Sequence, residues 1–394
     1  MRVAAHTLGC KLNFAETSDL LRRYAQEGNT IVDFRDEADL YLINTCTVTA
    51  VAEKKCRAAI RQAHRQNAAA QIIVMGCFAQ RAADEIRRMA GVSEVWGNDR
   101  KGLLAHSGDE RTRTFFKIQD GCDYFCTYCA IPYARGRSRS ASLEETLCAA
   151  RRIAAEGTKE VILTGVNTGT FGQSNGEQFL DLLKRLDDVE GILRYRISSI
   201  EPNLLTDDII RFVASSRAFL PHFHIPLQAG SDHVLQMMHR RYSTALYRDK
   251  LEAIKSLMPD ACIAADIMAG FNGESEEEFD KALAFVDSLP LSYLHVFTYS
   301  DRPGTAALRM DEKIPVPVRH EHTARLLELS AKKHRQFADS QLGLRRPVLW
   351  EHTDHDGRMA GWTDNYLRIM RPYDEGLVGT IEEVVISPDN LVDE

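Results

Sequence analysis

The stretch Gly121-Cys122-Asp123-Tyr124-Phe125-Cys126-Thr127-Tyr128-Cys129 places three cysteines in a C-x3-C-x2-C pattern. Three thiolates on one loop can hold three corners of an iron–sulfur cluster, and one iron stays open because the next cysteine, Cys148, falls inside a predicted helix. Zinc is the competing metal, but a structural zinc site usually takes four protein ligands, and this loop offers neither a paired C-x2-C nor a histidine. The loop therefore favours an iron–sulfur cluster that can bind a further ligand.

Strands and helices alternate on both sides of this loop, which is typical of α/β folds with parallel sheets. Before it, the pattern predicts strands at residues 3–8, 40–44 and 72–75 and helices at residues 13–26 and 50–67, the first of them capped by Asn13. From residue 115 onward, the pattern predicts six strands separated by helices, at residues 115–118, 160–164, 193–198, 221–226, 262–268 and 293–298, and the loop follows the first of them. A partial (β/α)6 barrel is therefore the expected centre of the chain.

The pattern changes after a predicted helix at residues 320–341. Short strands separated by turns follow, at residues 347–351, 358–370 and 378–386, and they predict a small all-β barrel. The expected fold class is α/β, with three domains: an N-terminal parallel sheet domain (1–110), the partial barrel (111–341) and the small all-β barrel (342–394).

Three further cysteines, Cys10, Cys46 and Cys77, each directly follow an apolar strand. Because the carboxyl ends of parallel strands gather at one edge of a sheet, these thiols should meet there. A lone cysteine is most often a small buried residue, but three at the same topological position favour a second cluster. The other three cysteines, Cys56, Cys148 and Cys262, are expected to be packing residues.

The composition limits the class of protein. The 394 residues are 44% hydrophobic and 27% charged, which suits two or three globular domains and excludes a disordered chain. No apolar window of about 18 residues could span a bilayer. Nine cysteines suit metal ligands or reduced thiols in the cytosol better than disulfides, so we expect a cytoplasmic protein.

Several motifs together resemble the radical SAM methylthiotransferases over nearly the whole chain. Besides the three-cysteine loop they are Thr7-Leu8-Gly9-Cys10-Lys11-Leu12-Asn13, Asn44-Thr45-Cys46-Thr47-Val48, Met75-Gly76-Cys77, Ile131-Pro132-Tyr133-Ala134-Arg135-Gly136, His224-Ile225-Pro226-Leu227-Gln228-Ala229-Gly230-Ser231 and Tyr299-Ser300-Asp301-Arg302-Pro303-Gly304-Thr305. The resemblance implies one 4Fe-4S cluster on the loop, whose open iron binds S-adenosyl-L-methionine (SAM), and a second on the three dispersed cysteines. It also implies a TRAM-like RNA-binding domain at the C-terminus.

Within this family, the Gly-Cys-Lys-x-Asn start and Gly361-Trp362-Thr363-Asp364-Asn365-Tyr366 resemble most the branch acting on N6-threonylcarbamoyladenosine next to the tRNA anticodon. The implied reaction is methylthiolation at C2 of that adenine, giving 2-methylthio-N6-threonylcarbamoyladenosine. C2 has no useful acidity, so the cofactors carry the chemistry and the protein places them. The implied partners are tRNA, an electron donor of the flavodoxin or ferredoxin type, and a sulfur donor.

Three alternatives stay open from the sequence. A sister branch acts on isopentenyl-type adenosine in tRNA or on an aspartate of a ribosomal protein. A radical enzyme whose N-terminal cysteines are only structural is the second alternative. The third is a non-catalytic, metal-stabilised RNA-binding protein.

The resemblance places SAM at the carboxyl ends of the barrel strands. The candidate contacts are Tyr128, Gly165, Asn167, Ser199, Glu201, His224 and Gln228. A glycine lets the backbone approach the amino acid part of SAM, a carboxylate can bind ribose hydroxyls, and the tyrosine can touch the adenine.

The net charge of −7, from 49 Lys+Arg against 56 Asp+Glu, argues weakly against an RNA partner. The acidity is uneven, however, since residues 343–394 hold five arginines, no lysine and eleven acidic residues. We therefore expect this C-terminal part to contribute orientation, shape reading or stacking through Trp350, Trp362 or Tyr366 more than electrostatic attraction, and the phosphate contacts to lie elsewhere. Those contacts are predicted on a helix stripe, Lys54, Arg57, Arg61 and Arg65, and on a run beside the cluster loop, Arg135, Arg137 and Arg139.

Two departures from the family pattern concern the framework. Asn272 stands where the family usually has proline, and we expect it to loosen that turn. The segment that joins the first two domains is short, which leaves the relative placement of the two clusters open.

Overall fold

The structure is a computed structural model that describes residues 1–108, 112–352 and 356–392. Its N-terminal part is a parallel five-stranded sheet in the order β2-β1-β3-β4-β5. The elements are β1 (Arg2–Thr7), α1 (Lys11–Gln26), β2 (Thr30–Val32), β3 (Leu40–Thr45), α2 (Ala50–Gln66), β4 (Gln71–Gly76), α3 (Cys77–Arg81), α4 (Ala83–Arg87) and β5 (Val92–Trp96).

The strands that precede the three dispersed cysteines are β1, β3 and β4. They are neighbours in the sheet, and both pairings are parallel. Their carboxyl ends therefore lie together at one edge, which confirms the predicted convergence. All six residues of the central strand β3 are buried, because helices cover both faces of the sheet.

The start of α1 differs from the prediction. Cys10, not Asn13, is the N-cap residue of this helix. Asn13 is buried inside the first turn, where its amide donates to the carbonyls of Leu8 and Thr45. The asparagine therefore ties together the loops that follow β1 and β3 instead of capping a helix.

The central part holds the longest run of alternating elements. They are β6 (Ala105–His106), β7 (Arg113–Lys117), β8 (Gln119–Asp120), α5 (Ile131–Arg135), β9 (Arg139–Ser140), α6 (Leu143–Ala155), β10 (Glu160–Thr164), α7 (Phe179–Asp187), β11 (Arg194–Ile197), α8 (Asp207–Ser215), β12 (His222–His224), α9 (Asp232–Met237), α10 (Thr244–Leu257), β13 (Cys262–Ala269), α11 (Glu276–Ser288), β14 (Tyr293–Thr298) and α12 (Val316–Ser340).

Six parallel strands of this part follow one another as a partial barrel. One sheet runs β11-β10-β7-β6 and another β12-β13-β14, and isolated bridges such as Ser199 to His224 connect them. Alternate residues of these strands, for example Phe116, Leu163 and Phe223, pack with the helices in the main core. Because side chains alternate along a strand, residues of the other set lie on the face turned away from these helices, which we call the inner face.

The last described part is a four-stranded antiparallel sheet in the order β17-β16-β15-β18. Its strands are β15 (Arg345–Trp350), β16 (Arg358–Thr363), β17 (Arg368–Pro372) and β18 (Ile381–Val385). The predicted strand at 358–370 is thus two strands with a turn between them, in which Tyr366 has a φ of +69°.

This C-terminal sheet packs against the amino ends of the barrel strands. Arg194, the first residue of β11, donates to the carbonyl of Pro347 at 2.7 Å, and His222, the first residue of β12, stacks on Tyr366 with ring centroids 4.4 Å apart. Arg196 donates to the carbonyl of Thr363 at 2.7 Å. The sheet therefore closes the end of the barrel that is remote from the strand carboxyl ends.

This docking uses the aromatic side chains that were expected to stack on RNA. Trp350 is only 1% exposed in the core of the sheet. The guanidinium of Arg113 lies 4.7 Å from the ring of Trp362, and that of Arg196 lies 5.0 Å from the ring of Tyr366. Trp350 is therefore not available for stacking on RNA, whereas Trp362 and Tyr366 are partly exposed and also hold the sheet on the barrel.

Among the residues placed in the structure, no helix combines the length and the apolar character that crossing a bilayer requires.

Candidate active site

The first cysteine set lies on the three loops that follow β1, β3 and β4. Cys46 and Cys77 are buried, whereas Cys10 is exposed. Gly9 has a φ of +106°, and a Cβ added to it would lie 2.8 Å from the Cβ of Cys46. Gly76, at φ +101°, leaves no room for a Cβ beside the Thr45 carbonyl. The glycines before two of the cysteines therefore let the three loops approach each other closely.

The electrostatics of this set fit a metal cluster. Burial raises the pKa of the Cys46 thiol to about 11, and the neighbouring thiols of Cys77 and Cys10 act in the same direction. The N–H of Val48 points at the Cys46 sulfur from 3.5 Å. Cysteine binds metals as the thiolate, so a metal cluster would compensate the clustered negative charge of these ligands, and its binding would release protons. The residues present thus fit an iron–sulfur cluster.

Cys56, expected to be a packing residue, is buried beside this set. Its sulfur accepts from the N–H of Cys46 at 3.4 Å, so it also supports the backbone of a candidate ligand. Cys262 is buried in the contact between barrel and C-terminal sheet. Cys148 is exposed, so the packing prediction was wrong for that residue, because it lies on the outer side of α6.

The second set, on the loop after β8, is equally compact. Burial raises the pKa of Cys122 to about 11 and that of Cys129 to about 12, and in both cases the adjacent Cys126 adds to the effect. The N–H of Ile131 points at the Cys129 sulfur from 3.4 Å. Phe125, within the loop, has a φ of +50°, a conformation that a bulky residue rarely adopts. The donor set again fits a cluster with three protein ligands.

Arg240 is a functional candidate that the sequence did not reveal. Its guanidinium donates to the sulfur of Cys126 at 3.1 Å and forms an ion pair with Glu201. Both side chains are largely buried. Hydrogen bonds to ligand sulfurs orient them and tune the potential of a cluster. No motif marks Arg240, which lies more than 100 residues after the loop in a turn following α9.

The candidate SAM contacts lie close to this loop. Asn167 is 2% exposed, and neither end of its side-chain amide makes a hydrogen bond of ordinary geometry. Its N–H donates to Gln119, whose amide in turn donates to the carbonyl of Gly121. A Cβ on Gly165 would come within 2.9 Å of the Gln119 oxygen. A buried amide that interacts only weakly, with Tyr124, and lies beside the cysteine loop fits a polar ligand such as SAM.

The other candidate contacts divide into two groups. Glu201 and Tyr128 both contact Arg240, and burial raises the pKa of Glu201 although Arg240 opposes this. Ser199 and Gln228, with a φ of +66°, lie at the ends of their strands. His224 differs, because its imidazole pairs with Asp266 on the inner face at 2.8 Å.

A buried ionic network connects the two cysteine sets. The carboxylate of Glu16 on α1 forms ion pairs with Lys117 at 2.8 Å and with Arg135 at 3.0 Å. Both cations also form ion pairs with Asp120 at 2.9 Å. Although burial opposes it, Arg135 and then Lys101 and Lys117 hold the pKa of Glu16 well below its usual value. Helix α3, which begins at Cys77, packs on α5, which begins two residues after Cys129. The network therefore fixes the two cysteine loops relative to each other.

The predicted phosphate-binding run 135–139 is only partly available. Arg135 is 2% exposed and bonded to Glu16, Asp120 and Asn13, so the prediction was wrong for it. Arg139 donates to Asp120 and to the carbonyl of Arg135. Arg137 has 76% of its side chain exposed, paired at 3.1 Å with Asp123.

Exposed aromatic rings accompany Arg137, and the sequence analysis had not considered them. Phe125 is 37% and Tyr133 58% exposed, and their rings lie 5.8 Å apart in an edge-to-face arrangement. The guanidinium of Arg137 lies 4.9 Å from the Phe125 ring. These three residues, which we call the loop surface, combine a cation with aromatic faces.

The four cations predicted to contact phosphate on α2 are also partly exposed and partly paired. Lys54, Arg61 and Arg65 are exposed. Arg57 is occupied, because it pairs with Glu85 at 2.6 Å and lies 4.6 Å from the Phe78 ring. Three of the four predicted cations are therefore accessible.

Asn272 does not loosen its turn. The residue is fully buried, its amide nitrogen donates to the carbonyl of Ala307 at 2.9 Å, and its oxygen accepts from Arg319 at 3.1 Å. Two hydrogen bonds thus hold the turn where a proline would have restricted it.

Comparisons with known proteins agree with this geometry. Residues 116–286 match the family model described as the radical SAM superfamily, and residues 2–97 match the uncharacterized protein family UPF0004. The fold and the three-cysteine loop thus define a radical SAM enzyme, a class that uses an iron–sulfur cluster and SAM.

The curated relatives specify the family. The chain is 38% identical to threonylcarbamoyladenosine tRNA methylthiotransferase MtaB of Bacillus subtilis (98% of this chain, 93% of that protein) and 35% identical to MtaB of Aquifex aeolicus (98% and 100%). It is 30% identical to tRNA-2-methylthio-N(6)-dimethylallyladenosine synthase of Desulfitobacterium hafniense (99% and 95%). The chain belongs to the radical SAM methylthiotransferase family.

A solved structure is similar in fold. The radical SAM methyltransferase TsrM from Kitasatospora setae, with cobalamin and a [4Fe-4S] cluster bound, superposes with a TM-score of 0.53 at 13% identity. The match covers 91% of this chain and 80% of that one. At this identity the similarity concerns the fold alone.

Proposed function

We propose that this protein methylthiolates C2 of N6-threonylcarbamoyladenosine next to the tRNA anticodon, with two 4Fe-4S clusters. The observation that carries the proposal is the placement of two sets of three clustered thiols on either side of the Glu16–Arg135 network. The substrate is assigned from the MtaB relatives at 38% and 35% identity. The proposed domains are 1–110 for the second cluster, 111–341 for the radical chemistry and 342–394 as a TRAM-like module.

The bound groups and the protein have separate tasks. When bound, the cluster on Cys122, Cys126 and Cys129 and SAM supply a radical that removes hydrogen from C2, and the cluster on Cys10, Cys46 and Cys77 supplies sulfur and methyl. The chain itself holds the two loops in a fixed relation through Glu16 and Arg135. Such placement matters because misplacing reacting groups by about 1 Å can cost about a hundredfold in rate.

Residues near the loop have proposed roles in holding SAM. Asn167 would pair its buried amide with the amino acid part, and Gly165 leaves room for close approach. Glu201 is suited to the ribose hydroxyls, Tyr128 to the adenine, and Ser199 and Gln228 to the rim of the site. We leave His224 out of this group because its imidazole already pairs with Asp266.

The tRNA would approach the cysteine loops over the loop surface. A cation beside two exposed aromatic rings is the usual composition of a surface that binds a single-stranded base and its phosphate. Lys54, Arg61 and Arg65 on α2 add positive charge at the N-terminal domain. Because the reaction consumes electrons and sulfur, a flavodoxin- or ferredoxin-type electron donor and a sulfur donor are further proposed partners.

A sister activity on isopentenyl-type adenosine is the second candidate. It is favoured by the 30% identity to a relative named for the dimethylallyl substrate. The isopentenyl activity is the second candidate because the identity to the MtaB relatives is higher, at 38% and 35%. No relative described above is named for a ribosomal protein.

Nucleoside mass spectrometry of tRNA from cells with and without this protein tests the proposal. We expect 2-methylthio-N6-threonylcarbamoyladenosine to disappear without the protein and to return with the wild type or with Cys148→Ala, whose thiol is exposed and remote from both sets. Cys46→Ala should not restore it. Loss of only the methylthiolated isopentenyl nucleoside would favour the sister activity instead.

A further inference from the structure

The inner face of the barrel holds a cluster of two imidazoles and one carboxylate. His224, Asp266 and His295 lie on the adjacent strands β12, β13 and β14, and Asp266 is directly opposite His295 in the register. The imidazole of His224 pairs with Asp266 at 2.8 Å. The two imidazole rings are 5.1 Å apart, and His295 is exposed to the open space of the barrel.

Lys11 reaches this group from the N-terminal domain. Its ammonium lies 5.7 Å from the ring of Phe115 on β7. Its charge interacts with those of Asp266 and His295 on the inner face of the barrel. The Lys11 side chain is exposed. Lys11 therefore lies near the two histidines and is accessible to a ligand in the space between them.

Lys11 is the cation of this space that lacks a direct partner. Arg196 is paired with Glu160 at 2.7 Å and Arg113 with Glu351 at 2.8 Å. Within the part of the chain that the structure describes, the Lys11 ammonium makes neither a hydrogen bond nor an ion pair, and its recorded contact is with the Phe115 ring. Asp266, a carboxylate whose charge interacts with that of Lys11, is paired with His224. The space is therefore suited to a negatively charged group.

A bound metal ion is the less suitable occupant. The nitrogen and oxygen atoms of His224, Asp266 and His295 lie within 4.8 Å of one another, as in a cation site. Lys11, whose ammonium has no carboxylate partner, would however repel a divalent cation beside Asp266 and His295. The charges around the histidines thus favour an anion.

The position of Lys11 in the chain connects this space to the proposed chemistry. It follows Cys10 directly, and consecutive Cα atoms are only about 3.8 Å apart. The proposed substrate carries its threonylcarbamoyl group on N6, on the same edge of the adenine as C2. A group near the second cluster can therefore contact that substituent while C2 faces the sulfur.

We propose that Lys11, with the imidazoles of His224 and His295, binds the carboxylate of the threonylcarbamoyl group and so selects this adenosine over one with an apolar isopentenyl group. The inference rests on the proposed function and identifies residues that determine its specificity. A site built for a charged group rejects an apolar analogue strongly, because the cation would be left without water or a partner.

The test compares two anticodon stem-loop RNAs that differ in one charge. One carries N6-threonylcarbamoyladenosine, and the other carries the methyl ester of its carboxylate. Dissociation constants are measured for the full-length, cluster-reconstituted protein, as wild type and as Lys11→Met, Lys11→Arg and His295→Gln. Lys313→Met, at an exposed lysine elsewhere, is the matched control, and iron content verifies that each variant is loaded.

The wild type and Lys313→Met should bind the acid about tenfold more tightly than the ester. Lys11→Met should abolish this preference, His295→Gln should reduce it, and Lys11→Arg should retain most of it. Equal wild-type affinity for both RNAs, or an unchanged preference in both Lys11→Met and His295→Gln, would overturn the inference. So would a bound metal other than iron that His295→Gln removes.

Turnover by the wild type distinguishes failure of this inference from failure of the proposed function. If the wild type methylthiolates the acid RNA but shows no acid preference, the inference fails and the proposed function stands. If the wild type methylthiolates only an isopentenyl RNA, the proposed function fails, and the inference fails with it.

Discussion

Arg240 shows how much a single buried side chain can contribute to the cysteine loop. Its guanidinium contacts the sulfur of Cys126, the hydroxyl of Tyr128 and the carboxylate of Glu201. Positive charge and a hydrogen bond at a ligand sulfur stabilise the more reduced, more negative state of a cluster. Arg240 therefore belongs to the site although it holds no metal.

Replacing Arg240 by glutamine should shift the reduction midpoint of the radical SAM cluster to more negative potential, because the hydrogen bond to Cys126 loses its charge. A redox titration monitored by electron paramagnetic resonance measures this midpoint. The control is Arg241→Gln, since Arg241 is exposed and donates to the carbonyl of Asp123 instead. An unchanged midpoint in Arg240→Gln with a fully loaded cluster would contradict the assigned contact.

Residue type could be read from the sequence, but burial could not. The cysteines were found because their spacing carries the chemistry. Arg135 was taken for a phosphate contact because its neighbours are basic, whereas the structure places it beside Glu16 from a distant helix. Lys11 was passed over for the same reason, since its position depends on how two domains meet.

Helix α1 is the element that connects the two halves of the site. Cys10 is its N-cap, and its first turns carry the buried Asn13 and Glu16, both bonded to Arg135. One helix thus relates a candidate cluster ligand to the barrel. Its residues act as a unit because each buried polar group satisfies another.

Substituting Glu16 by glutamine should lower the free energy of unfolding by about 3 kcal/mol at pH 7, because Arg135, Lys117 and Lys101 lose their shared buried carboxylate. The pKa of Glu16 lies well below its usual value in the folded state. A carboxyl group whose pKa is lower in the folded than in the unfolded protein stabilises the fold at pH values above its unfolded-state pKa. This stabilisation is lost as the pH falls through the folded-state pKa. The difference between wild type and variant should therefore shrink below about pH 4.5.

Urea unfolding of the metal-free protein between pH 3.5 and 7 measures this difference. Glu144→Gln is the matched control, because Glu144 is exposed with 69% of its side chain accessible, and it should change stability by less than about 0.5 kcal/mol. A variant difference that stays constant across this pH range would contradict the role of Glu16.

The strands were predictable to within a few residues, and with them the convergence of Cys10, Cys46 and Cys77. This worked because the topology of parallel strands determines where their ends lie. The start of α1 was misplaced since Asn13 has the preferred chemistry of an N-cap, while its buried bonds to Leu8 and Thr45 depend on tertiary contacts.

At the scale of the whole molecule, the N-terminal and C-terminal parts of the chain contact different regions of the barrel. The N-terminal domain contacts the side of the cysteine loops, and the C-terminal sheet covers the amino ends of the strands. Residues 343–394 account for −6 of the net charge of −7. The positive surface near the proposed chemistry is therefore not outweighed locally by this acidity.

In the proposed complex, the salt dependence of tRNA binding should come from the loop surface. Arg137→Gln should reduce the slope of log affinity against log salt concentration by about 1. Arg371→Gln in the C-terminal sheet, where the arginine pairs with Glu382 at 2.6 Å, should leave the slope unchanged. Filter binding of tRNA over a range of salt concentrations tests both. A reduced slope for Arg371→Gln alone would assign the phosphate contacts to the C-terminal sheet.

The central claim is that two clusters on one chain methylthiolate N6-threonylcarbamoyladenosine. The most direct measurement is an assay of anaerobically reconstituted protein with SAM, a reductant and a sulfur source. Its substrates are tRNAs that carry either this nucleoside or its isopentenyl counterpart, and the product nucleosides are identified by mass spectrometry. The account predicts that the threonylcarbamoyl nucleoside gains a methylthio group in place of the C2 hydrogen, and that Cys46→Ala, with the barrel cluster intact, does not catalyse this. Methylthiolation of only the isopentenyl nucleoside, or full activity of Cys46→Ala, would contradict it.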